Sequence, residues 1–472
     1  MNRACLTKNT NLHEQNQHAS SIRPIKNNFV RMKMNFKFMT VAGLILLVLA
    51  SCNEANKNAD PMNSPSKVKV KAVNGKYHFF VNNKIFEIKG VNGGRDVALL
   101  YKSGGTSFRA GGGTNSKAIL DTAYKYHMMV ALNLGLRQEL QGFNYDDTAA
   151  VAKQLIAVKK TVDAFKNHPA VLCWVAGNEL NLSPNRGKPV NPKVYDALKD
   201  VVDYIHKNDP NHPVTTTFAG VSKAAVDVAL KHCPDMDFIS LQVYGSLNKI
   251  PTMAKAAGIT KPYLITEFGP RGHWEVPATK WKREIEEPSA VKASGLMDRI
   301  QKGIISDSSG LNLGGYGFLW GQKQERTPTW YGMFIKSGES TAAVDELTRY
   351  WTGKYPEIRA PKVDSLKLAD KNAIDNIYLK PLAKYTAKVF ASDPNSFPLA
   401  YKWTILKEVM VRSQGGGREI EPDTVHIEVL SNAGGELNFK SPKDTGEYRL
   451  FSYVFNGKNK VGTANVPFYV KK

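Results

Sequence analysis

Eight short apolar runs alternate with amphipathic segments, and a tract of short alternating runs bounded by turn residues follows them. Together these predict an α/β chain: a (β/α)8 TIM barrel and then a C-terminal β-sandwich. A third observation agrees, because the eight runs are spread over about 270 residues, a usual size for such a barrel. In order they are Ile85–Val91, Thr106–Arg109, Met129–Leu134, Val171–Gly177, Val214–Phe218, Phe238–Val243, Tyr263–Thr266 and Tyr316–Trp320. Helices are expected between them. Val151, Leu155, Val158, Val162 and Phe165 recur at helical spacing after the third run, and Val194, Leu198, Val201, Val202 and Ile205 do so after the fourth. No Gly-x-Gly-x-x-Gly follows the first run, which counts against a doubly wound open sheet. Gly111-Gly112-Gly113 after the second reads as a flexible βα loop and not as a phosphate cradle. Ahead of the barrel, Lys76–Val81 and Lys84–Lys89 flank Asn82-Asn83 and are expected to form a hairpin that closes the barrel floor.

The barrel is assigned to residues 72–355 and the sandwich to 356–472. In the second domain the alternating runs are Tyr385–Phe390, Ala400–Leu406, Thr424–Leu430, Tyr448–Phe455 and Ala464–Val470, with Asn456-Gly457 as a hairpin turn between the last two. Asp444-Thr-Gly-Glu-Tyr448 resembles the tyrosine corner of immunoglobulin-like domains, and Trp403 falls where their core tryptophan would. The domain has no cysteine, so the inter-sheet disulfide is absent. Its expected role is a spacer or a buttress, ahead of an independent carbohydrate-binding module.

The chain has 472 residues, 42% hydrophobic and 22% charged, a composition that excludes disorder and fibrous repeats. Its net charge of +22 invites a nucleic-acid reading, but eight of those charges fall in residues 1–71. There, Arg31, Lys33 and Lys37 precede an apolar stretch that ends in Leu49-Ala50-Ser51-Cys52, the pattern of a secretory signal too short to span a bilayer. The segment resembles the lipobox of bacterial lipoproteins, which implies lipidation of Cys52. Residues 1–51 are therefore read as a signal peptide, with Met32 or Met34 a better start and residues 1–31 an extension ahead of it. Residues 52–71 are read as a flexible tether. The expected location is the outer membrane of a bacterium, with the protein exported and lipid-anchored. Export and the lack of a recognised binding motif oppose a nucleic-acid partner. Cys173 and Cys233 are expected to be buried thiols, and no residues show metal-ligand spacing. No cofactor is expected.

In a (β/α)8 barrel the chemistry sits at the C-terminal strand ends, so polar residues that terminate apolar runs are the informative ones. Val171-Leu-Cys-Trp-Val-Ala-Gly-Asn-Glu179 ends the fourth run, and Pro262-Tyr-Leu-Ile-Thr-Glu267-Phe-Gly ends the seventh. A carboxylate after four or more apolar residues is costly to desolvate unless it has partners or a task. Two of them at facing strand ends can meet across a bound sugar.

This constellation resembles glycoside hydrolase clan A over residues 85–355, and is most similar to the catalytic barrel of family 2 glycosidases. The resemblance implies a retaining double displacement in which Glu267 is the nucleophile and Glu179 the acid/base. It further implies that Asn178 bonds the sugar 2-hydroxyl, that Tyr244 bonds the nucleophile, that Arg109 keeps it ionised, and that Trp320 lies beneath the cleaved sugar. Trp274, Trp330 and Tyr331 are candidates for further subsites, with core packing the competing role. Several subsites suit a polymer, so endo action on a polysaccharide is expected, by a monomer. A clan A barrel with an immunoglobulin-like domain on a lipoprotein also resembles the endo-β-1,3-glucanases of family 158, which implies β-1,3-glucan as substrate. The alternatives are a transglycosylase of the same clan and a surface glycan-binding lipoprotein with a disabled barrel. The charge remaining on the two domains keeps uronic-acid polymers among the substrates.

Overall fold

The computed structural model describes residues 61–472 apart from Arg186. The expected signal peptide, Cys52 and the first part of the expected tether lie outside those residues. Eight parallel strands form the barrel: β4 (Ile88–Asn92), β5 (Ser107–Ala110), β6 (Met129–Leu136), β7 (Val171–Gly177), the two pieces β8 (Val214–Thr215) and β9 (Thr217–Ala219), β10 (Ile239–Gln242), β11 (Tyr263–Phe268) and β12 (Asn312–Gly317). The fifth strand is broken at Thr216. Its first piece pairs with β7 and its second with β10, while β12 pairs with β4, so the ring closes. A helix follows each strand: Val97–Lys102, Ser116–Lys125, Thr148–Phe165, Lys193–Asn208, Lys223–His232, Ile250–Ala256, Ser289–Ile300 and Ala342–Thr352.

The helices form for local reasons that the sequence carries. Asp147 caps Thr148–Phe165 by accepting the Ala150 N–H at 2.9 Å. Lys193–Asn208 buries Val194, Leu198, Val201, Val202 and Ile205, the stripe anticipated from their spacing. Each such side chain contributes roughly 1.5–3 kcal/mol when withdrawn from water. Cys173 and Cys233 are buried free thiols. Among the described residues no helix is long and apolar enough to cross a membrane.

The floor differs from the expected hairpin. It is a three-stranded antiparallel meander of β1 (Val68–Val73), β2 (Lys76–Val81) and β3 (Lys84–Phe86), turning at Asn82 and Asn83, both with positive φ. The first of these strands takes up residues assigned to the tether. The physical reason is burial: Val68 and Phe79 pack with Leu172, Phe238, Leu264 and Tyr316 at the bottom of the barrel, and the Phe79 and Phe238 rings meet edge to face at 5.4 Å. The eighth strand also differs, ending at Gly317 and not at Trp320.

The second domain is a sandwich of two four-stranded sheets. One has the order β13 (Lys362–Leu368), β15 (Lys384–Ser392), β18 (Glu436–Lys440), β17 (Val429–Ala433); the other has β14 (Ile377–Leu379), β20 (Val461–Val470), β19 (Gly446–Phe455), β16 (Ala400–Lys407). The tyrosine corner is formed, with the Tyr448 hydroxyl donating to Asp444 O at 2.9 Å. Two expectations are corrected. Thr424 makes a single bridge with Leu406 and the strand starts only at Val429. Trp403 sits half-buried at the rim of the core, its Nε1 donating to Asn432.

Residues 61–472 form one compact unit, and polar groups seat the sandwich on the barrel. Arg449 donates to Glu408 Oε1 at 2.8 Å, to Asn465 Oδ1 at 2.8 Å and to the barrel carbonyl of Glu284 at 2.9 Å. Arg283 pairs with Glu447, and Asn465 donates to Glu286 at 2.6 Å. Losing one partner of a buried ion pair costs about 3–5 kcal/mol, because the other charge is left without compensation. Arg449→Met is therefore expected to lower the urea midpoint by a corresponding amount; an unchanged midpoint would show that the Arg449–Glu408 pair within the sandwich adds nothing to stability.

Candidate active site

The C-terminal strand ends open into a cleft of about 1060 Å³ lined by Asn178, Glu179, Glu267, Arg109 and Tyr244 among others. Glu267 is the next-to-last residue of β11 and is held by three donors. Arg109 Nη1 reaches its Oε1 at 2.8 Å, Gln242 Nε2 the same oxygen at 3.0 Å, and the Tyr244 hydroxyl its Oε2 at 2.7 Å. All three partners are donors, and a carboxylate offers them acceptors on both oxygens. Burial, and then the charge of Glu267, push the Tyr244 phenol well above its ordinary value, so it stays a donor.

Asn178 is oriented by the same donors. Its Oδ1 accepts from Arg109 Nη2 and from Gln242 Nε2, each at 2.8 Å, which leaves the amide N–H groups as the end able to donate to a bound molecule. Arg109 is itself fixed by Asn133 Oδ1 at 2.9 Å and Asn92 Oδ1 at 3.4 Å. Its rigid fork thus ties β4, β5, β6, β7 and β11 together through side chains.

Glu179 is treated differently. It lies beyond the end of β7 with φ of 50°, a left-handed conformation that costs a non-glycine residue roughly 1–3 kcal/mol and concentrates at functional sites. Its N–H donates to Thr217 Oγ1 at 2.7 Å. Burial, and then the neighbouring charge of Glu267, push its carboxyl up to about 8, with Arg109 acting in the opposite direction. Two carboxyl groups in one cleft therefore have different environments, Glu267 ringed by three donors and Glu179 favoured as the acid.

Of the aromatic residues singled out in sequence, Trp274 and Tyr331 line the cleft, and Trp274 is 61% exposed. Trp320 and Trp330 do not. Because the last strand ends three residues earlier than expected, Phe318 and Leu319 take the lining positions, and Trp320 is 0% exposed against Phe334. Trp330, 2% exposed, packs with Tyr244 and Tyr331 behind the cleft wall and donates to Arg271 O at 3.0 Å. The sequence reading missed Asn92, Asn133 and Gln242. Asn92 and Gln242 end strands, and Asn133 lies near the end of β6, so the rule that found Glu267 would have found them. His273, also in the lining, is pushed down to about 3 by burial and by Arg326, Arg412 and Lys323, so its imidazole is neutral near pH 7. Among the described residues no three His, Cys, Asp or Glu side chains gather in a way that could hold a metal ion.

Residues 94–273 match the family model described as glycosyl hydrolases family 2, TIM barrel domain. No curated protein matches the chain. Solved structures similar in fold include Bacteroides uniformis β-glucuronidase 2, at TM-score 0.47 and 13% identity, covering 86% of this chain and 48% of that one. They also include β-glucuronidases of Ruminococcus gnavus, at TM-score 0.46 and 15% identity over 61% of this chain and 52% of that one, and of an uncultured Clostridium species, at TM-score 0.43 and 17% identity over 61% and 54%. The chain spans about half the length of these enzymes.

Proposed function

We propose that the protein is a retaining β-glycoside hydrolase. The observation that carries this is the opposed pair: Glu267 bonded by Arg109, Gln242 and Tyr244, and Glu179 pushed up to about 8 in the same cleft. Titratable groups whose environments diverge in this way identify the acid and the base. The Glu267 carboxylate attacks the anomeric carbon while Glu179 gives its proton to the departing glycosidic oxygen, leaving a glycosyl ester on Glu267. Glu179, now an anion, takes a proton from water, whose oxygen displaces Glu267 and restores both groups. Asn178 donates to the 2-hydroxyl, and the exposed ring of Trp274 stacks on an apolar sugar face.

The family model match to a family 2 barrel domain supports this class of reaction. The substrate is a β-linked glycan, with β-1,3-glucan and uronic-acid polymers the two sequence-derived options. Export and a lipid anchor on Cys52 belong to the same proposal and rest on the pattern around Lys37–Cys52. The test is turnover of 4-nitrophenyl β-glucoside, β-galactoside, β-mannoside and β-glucuronide, together with β-1,3-glucan, mannan and xylan. Release from at least one, with the β anomer as first product, is expected. Tight binding of a glycan with no turnover of any would replace the hydrolase by a glycan-binding protein.

A further inference from the structure

Residues 408–428, between β16 and β17 of the sandwich, form a connection longer than the roughly 12–15 residues beyond which irregular loops are uncommon and usually functional. Its base is rooted on the barrel. Arg283 Nη1 donates to Val409 O at 3.0 Å, and Arg412 donates to Glu284 Oε1 at 2.8 Å. Glu419, a buried carboxylate, pairs with Arg326, accepts the Arg326 N–H at 2.6 Å and accepts the Ser413 N–H at 2.9 Å.

From that base the tip Gln414–Gly417 turns back on itself, the Gly417 N–H donating to Gln414 O at 3.1 Å. On one side, Lys323 Nζ, after β12, donates to Gly416 O at 2.9 Å. On the other, Gln141 Nε2, after β6, donates to Gln414 O at 3.2 Å. Gly415, with φ of 54°, presses between loops: a Cβ there would stand 2.6 Å from Leu140 and 3.3 Å from Leu182, which follows β7. The tip thus spans from the eighth strand's loop to the loops of the third and fourth. In the ring the first and second strands stand between the eighth and the third, and their loops begin with glycines. They open with Gly93-Gly94 and with Gly111-Gly112-Gly113, and a Cβ on Gly112 would meet the Asn133 carbonyl at 2.1 Å. Ser413, Gln414, Gly415 and Gly416 line the same cleft as Glu179 and Glu267.

We infer that the Gln414–Gly417 tip of the sandwich is a specificity-determining wall of the cleft, held between the loop after the eighth strand and those after the third and fourth and limiting how many units of a β-linked chain fit on that side. The inference rests on the glycosidase reading. It gives the second domain a direct part in substrate choice, beyond the buttress expected from its sequence.

The test replaces Gln414–Gly417 by Asn-Gly in the full chain, with Glu267→Ala present in both forms to prevent turnover. Affinities for β-1,3- and β-1,4-linked gluco-oligosaccharides from dimer to hexamer are then measured by calorimetry. With the tip intact, affinity is expected to stop rising at a shorter oligosaccharide than without it; the form without the tip is expected to bind the hexamer tenfold or more tighter. The same length profile in both forms, or no binding by either, overturns the inference. Should the shortened loop fail to fold, Gly415→Ala displaces the tip without shortening it and must shift the profile in the same direction. Turnover of the aryl glycosides by the native chain judges the hydrolase reading separately.

Discussion

Glu267→Ala is expected to lower kcat on an aryl β-glycoside by a factor on the order of 10⁴ or more, the largest effect of any single substitution in this chain. The methyl group cannot form the glycosyl ester, and it leaves a space beside the anomeric carbon. Azide added to the variant would enter that space and attack from the face Glu267 uses, giving an α-glycosyl azide, the inverted product. Initial rates and the anomeric configuration of the azide check both points. Retained activity would remove Glu267 as nucleophile, and a β-azide would exchange the roles of the two glutamates. The substitution also removes the anion beside Glu179, so the Glu179 carboxyl should titrate below about 8 in the variant while burial still holds it above the ordinary carboxylate range. Glu267→Gln, which keeps the shape and a carbonyl oxygen for one of the two donors Arg109 and Tyr244, separates loss of chemistry from loss of fold.

Glu179→Gln is expected to cost about 10²- to 10⁴-fold on glycosides with poor leaving groups, and much less on aryl glycosides whose phenol departs without a proton. The accompanying change in pH dependence is the sharper readout. In the native chain Glu179 must be protonated to act, so kcat/KM is expected to fall as pH rises through about 8, and this alkaline limb disappears in the variant. The same shift acts on stability. A carboxyl raised in the folded state binds its proton more tightly there than in the unfolded chain, so its stabilising contribution is complete below the ordinary carboxylate value and is lost as pH rises toward about 8. Glutamine carries no proton to lose. The variant's melting temperature should therefore exceed the native one by more at pH 9 than at pH 5; a constant difference would contradict the raised value.

Glu179, Glu267, Arg109, Asn178 and Tyr244 were legible because each is a polar residue at, or just past, the end of an apolar run, and in a parallel barrel that position is the mouth. Asn92, Asn133 and Gln242 obey the same rule and went unnoticed because a neutral amide near an apolar run carries no obvious desolvation cost. The aromatic residues were harder. An indole is as welcome in a core as in a sugar subsite, and a shift of three residues in the end of the last strand moves Trp320 from the cleft to the interior.

Local pattern alone therefore determined the closed eightfold barrel, the sandwich after it and the two facing glutamates, since periodicity and strand ends are properties of neighbouring residues. Only the tertiary structure decided that β1 joins the floor, that Arg109 and Gln242 bind both Glu267 and Asn178, and that a sandwich loop reaches the mouth to lie on Leu140 and Lys323. Those contacts join residues far apart in the chain, and they depend on burial and on how two domains are seated. No run of neighbouring side chains records such a contact, because the free energy that selects it exists only once both surfaces are formed.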